Sequence, residues 1–118
     1  MDLSISQMMQ MQNDLFSLHK DTWPPIDPQF GKDFILFMVE EIGEVIAVLK
    51  KKGHNAIMED PVTRQTFLEE MADVLMYYND ILLRYQVTPE KISEAFIKKH
   101  SVDMNRNFER EYEEKYNG

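Results

Sequence analysis

Residues 34–53 read FILFMVEEIGEVIAVLKKKG. No proline interrupts the stretch, and its apolar side chains recur at helical spacing. Its last turn is Lys50, Lys51 and Lys52, followed by Gly53. Lysines there offset the negative end of the helix dipole, and glycine can take the left-handed cap position. The reading is a helix that starts at residue 28 or 32 and ends at 52. Three acids, Glu40, Glu41 and Glu44, sit inside it. At about 100° per residue, Phe34, Phe37, Met38, Val45, Val48 and Leu49 all fall within about 80° of Glu41. Glu41 therefore lies inside the apolar arc, Glu44 at its edge and Glu40 towards solvent. A buried carboxylate without a partner is costly and tends to protonate. Pairing with a base is the plain remedy, but few bases stand nearby along the helix.

Upstream, SISQMMQMQNDLFSLHK (4–20) opens with Ser4 and Gln7 in a capping-box pattern. Met8, Met11, Leu15 and Leu18 follow at helical spacing, so a helix is expected over 4–20. Pro24, Pro25, Pro28 and Gly31 then stiffen a loop that starts near Trp23, the only tryptophan. Asp27 can cap the next helix, with Pro28 at its first position. Downstream, HNAIME (54–59) reads as a linker. A third helix is expected from the Asp60–Pro61 start to about Tyr85. A fourth restarts at Thr88–Pro89, runs through EKISEAFIKKH (90–100) and can continue through DMNRNFEREYEEKY (103–116). Its charged end, about 109–118, is expected to fray. No strand-like alternation and no repeat is visible. The expected fold is all-α, a single domain over 1–118 built as a four-helix bundle. At 118 residues the core of one copy is thin, so association with a second copy would complete it.

Composition narrows the function. Hydrophobic residues make up 43% and charged residues 29%, as in folded proteins rather than disordered ones. The formal net charge of −8 repels polymeric nucleic acid. Without cysteine there are no disulfides, zinc–thiolate sites or thiol nucleophiles, which fits a cytoplasmic protein. The N-terminal stretch MDLSISQMMQMQ resembles no signal peptide, and the run Phe34–Val39 is too short to span a membrane.

A second acidic stretch, FLEEMADVLMYY (67–78), lies on the third helix. Glu70 and Asp73 are three apart and share a face. Glu69, Tyr77, Asp80 and Arg84 lie on or near that stripe, while Leu68, Met71, Val74, Leu75, Ile81 and Leu82 fill most of the remaining circumference. Alone, such a stripe reads as the wet side of an amphipathic helix. Opposed to the first motif across a hairpin, it brings Glu41, Glu44, Glu70 and Asp73 together. Two unit charges 4 Å apart repel by roughly 4 kcal/mol at an effective dielectric near 20. Four such groups need a cation to stay ionised. Oxygen ligands without His or Cys select Mg²⁺, or Mn²⁺ in its place, over Zn²⁺.

The pattern E-E-x-x-E followed by E-E-x-x-D resembles the signature of the MazG-like nucleoside triphosphate pyrophosphohydrolases, all-α proteins related to the dimeric dUTPases. Beyond EEIGE and EEMAD, the resemblance rests on HKDTWPP, the helix around EEIGE, EEMADVLMYYNDILLRY and IKKHSVDMNR. Together these blocks span about residues 15–108. The resemblance implies a MazG-type fold and hydrolysis of an NTP or dNTP to the monophosphate and pyrophosphate. It makes Glu41, Glu44, Glu70 and Asp73 the Mg²⁺ ligands. Glu40 would hold a second metal or orient the attacking water, and Tyr77 would line the nucleotide pocket. In the block KKHSVDMNR, Lys99 and Arg106 would meet the phosphates or sugar, with Asn105 as a further candidate. Asp103 departs from the pattern, which ordinarily has Asn there. The implied assembly is a homodimer or homotetramer.

Other readings stand beside this one. Trp23 suits stacking on a base or plugging the bundle end equally. His19, His54 and His100 form no E-x-x-H pair, which argues against a di-iron bundle. Met8, Met9 and Met11 suit a helix–helix interface between subunits. A non-catalytic acidic partner-binding or regulatory module, or a MazG-like fold that has lost activity, would also carry these residues.

Overall fold

The structure is a computed structural model, and it describes residues 1–116. Among them every regular element is helical. The α-helices are α1 (Ile5–His19), α2 (Gly31–Lys52), α3 (His54–Glu59), α4 (Pro61–Arg84), α5 (Pro89–Met104) and α6 (Phe108–Tyr116), with a 3-10 turn at Pro28–Phe30. The chain divides into two compact units, Met1–Thr88 and Pro89–Gly118.

In the first unit, α2 packs chiefly on α4, which also receives α1 and α3. The N-terminus of α1 forms through the expected box. Ser4 Oγ accepts from the Gln7 N–H at 3.1 Å, and Gln7 Oε1 accepts from the Ser4 N–H at 2.7 Å. Asp27 caps the 3-10 turn rather than α2. The first residue of α2, Gly31, is buried against Tyr85, and a Cβ there would overlap the Tyr85 ring. At the other end Gly53 has φ 83° and ψ 162°. The positive φ was expected, but the ψ places it in an extended region open essentially to glycine alone, not in the left-handed cap.

HNAIME, expected as a linker, is helix α3. Six residues are too few to show a period in sequence. Burial of Ile57 anchors the turn, so tertiary packing rather than propensity supports it.

Asp60 caps α4 by accepting from the Thr63 N–H at 3.3 Å and the Thr63 hydroxyl at 2.6 Å. The hydroxyl bond first, and then the backbone N–H groups, hold the Asp60 carboxyl below its ordinary value of 3.8, against the opposing effect of burial. A lowered folded-state value means stability that is present above 3.8 and lost as pH falls through the lowered value. Asp60→Ala should therefore lower the melting temperature at pH 7, and mutant and wild type should converge in acid below 3.8. Thermal melts by circular dichroism across that range check it. A gap of unchanged size in acid would assign the loss to something other than the charged cap.

The C-terminus of α4 closes with two reversed hydrogen bonds, Gln86 N–H to the Leu83 carbonyl at 3.0 Å and Val87 N–H to the Leu82 carbonyl at 2.8 Å. These make a Schellman motif whose left-handed residue is Gln86, at φ 57°. A side chain there costs about 1–2 kcal/mol relative to a right-handed position. Gln86→Gly should raise stability, by up to about 1 kcal/mol once the extra freedom of glycine in the unfolded chain is subtracted. A urea midpoint that falls would contradict this.

Among the described residues the buried apolar side chains are few: Met9, Phe34, Ile57 and Leu82. Of the arc expected around Glu41, Phe34 is buried and Met38, Val45 and Val48 are half-buried, but Phe37 and Leu49 are exposed. On α4, Leu68, Met71 and Leu75 are exposed as well. α2 carries a second apolar stripe, Ile35, Val39, Ile42, Ile46 and Leu49, exposed throughout. Its spacing of four, three, four and three residues is the repeat of a helix–helix seam. By helix geometry it lies about 120° round from Glu41. One face of α2 thus packs within the unit while another is uncovered.

In the second unit the expected single helix is broken into α5 and α6. Asn105 Nδ2 donates to the Ser101 carbonyl at 2.7 Å, and Asn107 Oδ1 accepts from the Arg110 N–H at 2.9 Å. Asn107 acts as the N-cap of a new helix, so the chain restarts rather than continues. The charged end is helical to Tyr116; for residues 117–118 the expectation of fraying lies outside the described residues.

Candidate metal centre and adjoining cavity

The packing of α2 on α4 places Glu41, Glu70 and Asp73 together. Each offers one carboxylate oxygen, and the three oxygens lie within 4.8 Å of one another. Asp73 follows Glu70 by three residues, so both point off one side of α4. Glu41 and Glu70 are half-buried. Burial, then the charges of Asp73 and Glu70, a hydrogen bond with Glu70 and the charge of Glu44 push the Glu41 carboxyl above its ordinary value of 4.5. Three hard oxygen donors fit a divalent cation such as Mg²⁺ or Mn²⁺, which takes its remaining ligands from water or a bound anion. Glu44 and Glu40 are exposed, and neither belongs to the converging set.

Glu41 and Asp73 also line a cavity of about 460 Å³. Its other walls include Trp23, Phe34, Phe37, Met76 and Tyr77. Phe34 and Phe37 meet edge to face at 5.3 Å, and Tyr77 lies 6.2 and 6.1 Å from them. Burial, then the nearby Glu41 and Asp73 charges, push the Tyr77 phenol above its ordinary value of 10.0. Trp23 stacks on His19 with centroids 4.5 Å apart and planes 20° from parallel. The cavity therefore joins an anionic, metal-competent wall to an aromatic one.

Asp80 and Arg84 overturn the reading of the α4 stripe as a wet side. They are 1% and 0% exposed. Arg84 Nε donates to Asp80 Oδ1, and Arg84 Nη1 donates to the Pro25 carbonyl. Both Nη1 and Nη2 reach the Pro24 carbonyl at 3.3 Å. The guanidinium lies 3.5 Å over the centre of the Phe34 ring. An acid and an arginine four apart look alike in sequence whether buried or solvated. The sequence carries no local signal for this burial, because the carbonyls that Arg84 satisfies lie 59 and 60 residues away.

Lys99, Asn105 and Arg106 belong to the second unit. There, Asp103 Oδ1 lies 3.3 Å from Lys99 Nζ and 3.5 Å from Arg106 Nη1, ion-pair distances without hydrogen-bond alignment. Arg106 also pairs with Glu111 at 2.7 Å and covers the Phe108 ring at 4.6 Å. Asn105 is occupied by its bond to Ser101. No helix among the described residues is long and apolar enough to cross a membrane. Compared with known proteins, the chain matches no family model, no curated protein and no solved structure.

Proposed function

We propose that this chain is a Mg²⁺-dependent nucleoside triphosphate pyrophosphohydrolase of the MazG-like kind. One observation carries the reading: three carboxylates from two helices converge within 4.8 Å, and two of them line a cavity whose other walls, apart from Gln12 and Asp80, are aromatic and apolar. A nucleotide presents the matching chemistry, phosphates for a metal and a flat base for Trp23, Phe34, Phe37 and Tyr77. When bound, Mg²⁺ would neutralise phosphate charge and polarise water. Glu41, Glu70 and Asp73 would hold it, with Glu44 one turn along α2 as a further ligand. Glu40 would orient the attacking water, or serve a second metal, from its exposed position beside Glu41.

The uncovered seam on α2 supports a homodimer or homotetramer, since a stripe of five aliphatic side chains is a poor surface to leave in water. Sedimentation at micromolar concentration should return more than a monomer.

The engagement of Lys99 and Arg106 by Asp103 favours a second reading, a MazG-like fold that binds metal without turnover. Incubation with Mg²⁺ and a panel of NTPs, dNTPs and modified nucleotides, following pyrophosphate, separates the two. Release that Glu70→Gln abolishes supports the enzyme. Silence across the panel, broken only by Asp103→Asn, supports the inactive form. Silence in both overturns the hydrolase reading.

A further inference from the structure

We propose that Arg84 is a positioning residue that fixes the aromatic wall of the cavity, Trp23 above all. Arg84 does not itself line the cavity, yet what it grips does. Pro24, Phe34 and Asp80 are all lining residues. Its guanidinium takes the Pro24 and Pro25 carbonyls from the loop, the Phe34 ring from α2 and the Asp80 carboxylate from α4. One planar cation with a rigid fork of donors thus sets three separate walls against one another. Lysine cannot reproduce this, because it offers a point charge and no plane to stack.

Trp23 directly precedes the clamped prolines. From the other side, its backbone N–H donates to the His19 carbonyl at 2.9 Å, and its ring stacks on His19. The indole is therefore held between the end of α1 and the residues that Arg84 grips. A wall fixed in advance leaves less ordering for a flat ligand to impose on binding, which raises affinity for that part of the ligand alone. For a nucleotide this means the base end, and that clause rests on the pyrophosphohydrolase reading; the fixing of Trp23 does not.

The test uses the paired variant Asp80→Leu/Arg84→Met, which removes both charges together and so avoids a stranded buried ion. Trp23 is the only tryptophan, so its emission reports on this wall without a label. In the folded variant its emission should shift to the red, and its acrylamide quenching constant should rise about twofold as the loop loosens. Affinity for a nucleoside triphosphate with Mg²⁺ should fall about tenfold, while affinity for Mg²⁺–pyrophosphate stays unchanged. A purely structural role would leave that ratio alone. Should the double variant not fold, Arg84→Lys is read the same way, since it keeps the charge and loses the fork. A folded variant that keeps either the wild-type Trp23 emission or the wild-type ratio of nucleotide to pyrophosphate affinity overturns the proposal. If the wild type binds no nucleotide at any Mg²⁺ concentration, the hydrolase reading falls, and the Trp23 emission alone decides the positioning role.

Discussion

Replacing Arg84 alone with methionine is expected to cost about 3–5 kcal/mol of folding stability, the usual result of breaking one side of a buried ion pair. That is a large part of the about 5–15 kcal/mol a domain has in total. The loss follows from what stays behind. Asp80, 1% exposed, keeps a carboxylate with its partner gone, and an unpaired charge in that position must protonate or draw in water. The melting temperature should fall by roughly 10–20 °C. Adding Asp80→Leu to the same chain should recover most of the loss, because the stranded acid is then removed as well. The Pro24 and Pro25 carbonyls lose their donor in both variants, but these prolines are exposed and water can replace it. Urea titrations of both single variants and the double variant form the cycle that measures the coupling. A double variant as unstable as Arg84→Met would show that the arginine acts through its packing on Phe34 and not through the pair.

The second large effect has two signs. Glu41→Gln should stabilise the metal-free chain at pH 7 and abolish its response to metal. The folded-state value of Glu41 is raised above 4.5, so the folded chain holds this proton more tightly than the unfolded one. Stability is thus lost as pH rises from 4.5 through the raised value and stays lost at neutral pH. Glutamine has no charge to lose, so the variant should melt a few degrees higher at pH 7 and match the wild type below 4.5. With Mg²⁺ present the order reverses. A cation at 100 times its dissociation constant should stabilise the wild type by about 2.7 kcal/mol and should leave the variant unmoved. On the proposed hydrolase reading, pyrophosphate release by the variant should fall by about a hundredfold or more. Melts at two pH values, each with and without Mg²⁺, contain the whole prediction.

What the sequence made legible was local. Ser4 and Gln7 announced the start of α1, Pro61 the start of α4, and wheel geometry put Glu41 in the arc that packs on α4. The convergence of Glu41, Glu70 and Asp73 was readable because two helical periods, each visible alone, met across one short connection. Glu44, at the edge of the arc by the same geometry, is exposed in the structure. The buried Arg84 was not legible. Its carbonyl partners lie 59 and 60 residues away, and no local pattern encodes such a contact. α3 was missed because one buried isoleucine carries no period. The uncovered seam of α2 was hidden by a helix that is apolar round most of its circumference, where two stripes blur into one.

Manganese binding followed by electron spin resonance tests the central claim, that the acids of α2 and α4 form a cation site, most directly. Saturable binding by the wild type at pH 7, lost in Glu70→Gln and weakened as pH falls and the carboxylates protonate, is the expected result. No saturable binding, or binding that Glu70→Gln leaves intact, would contradict it.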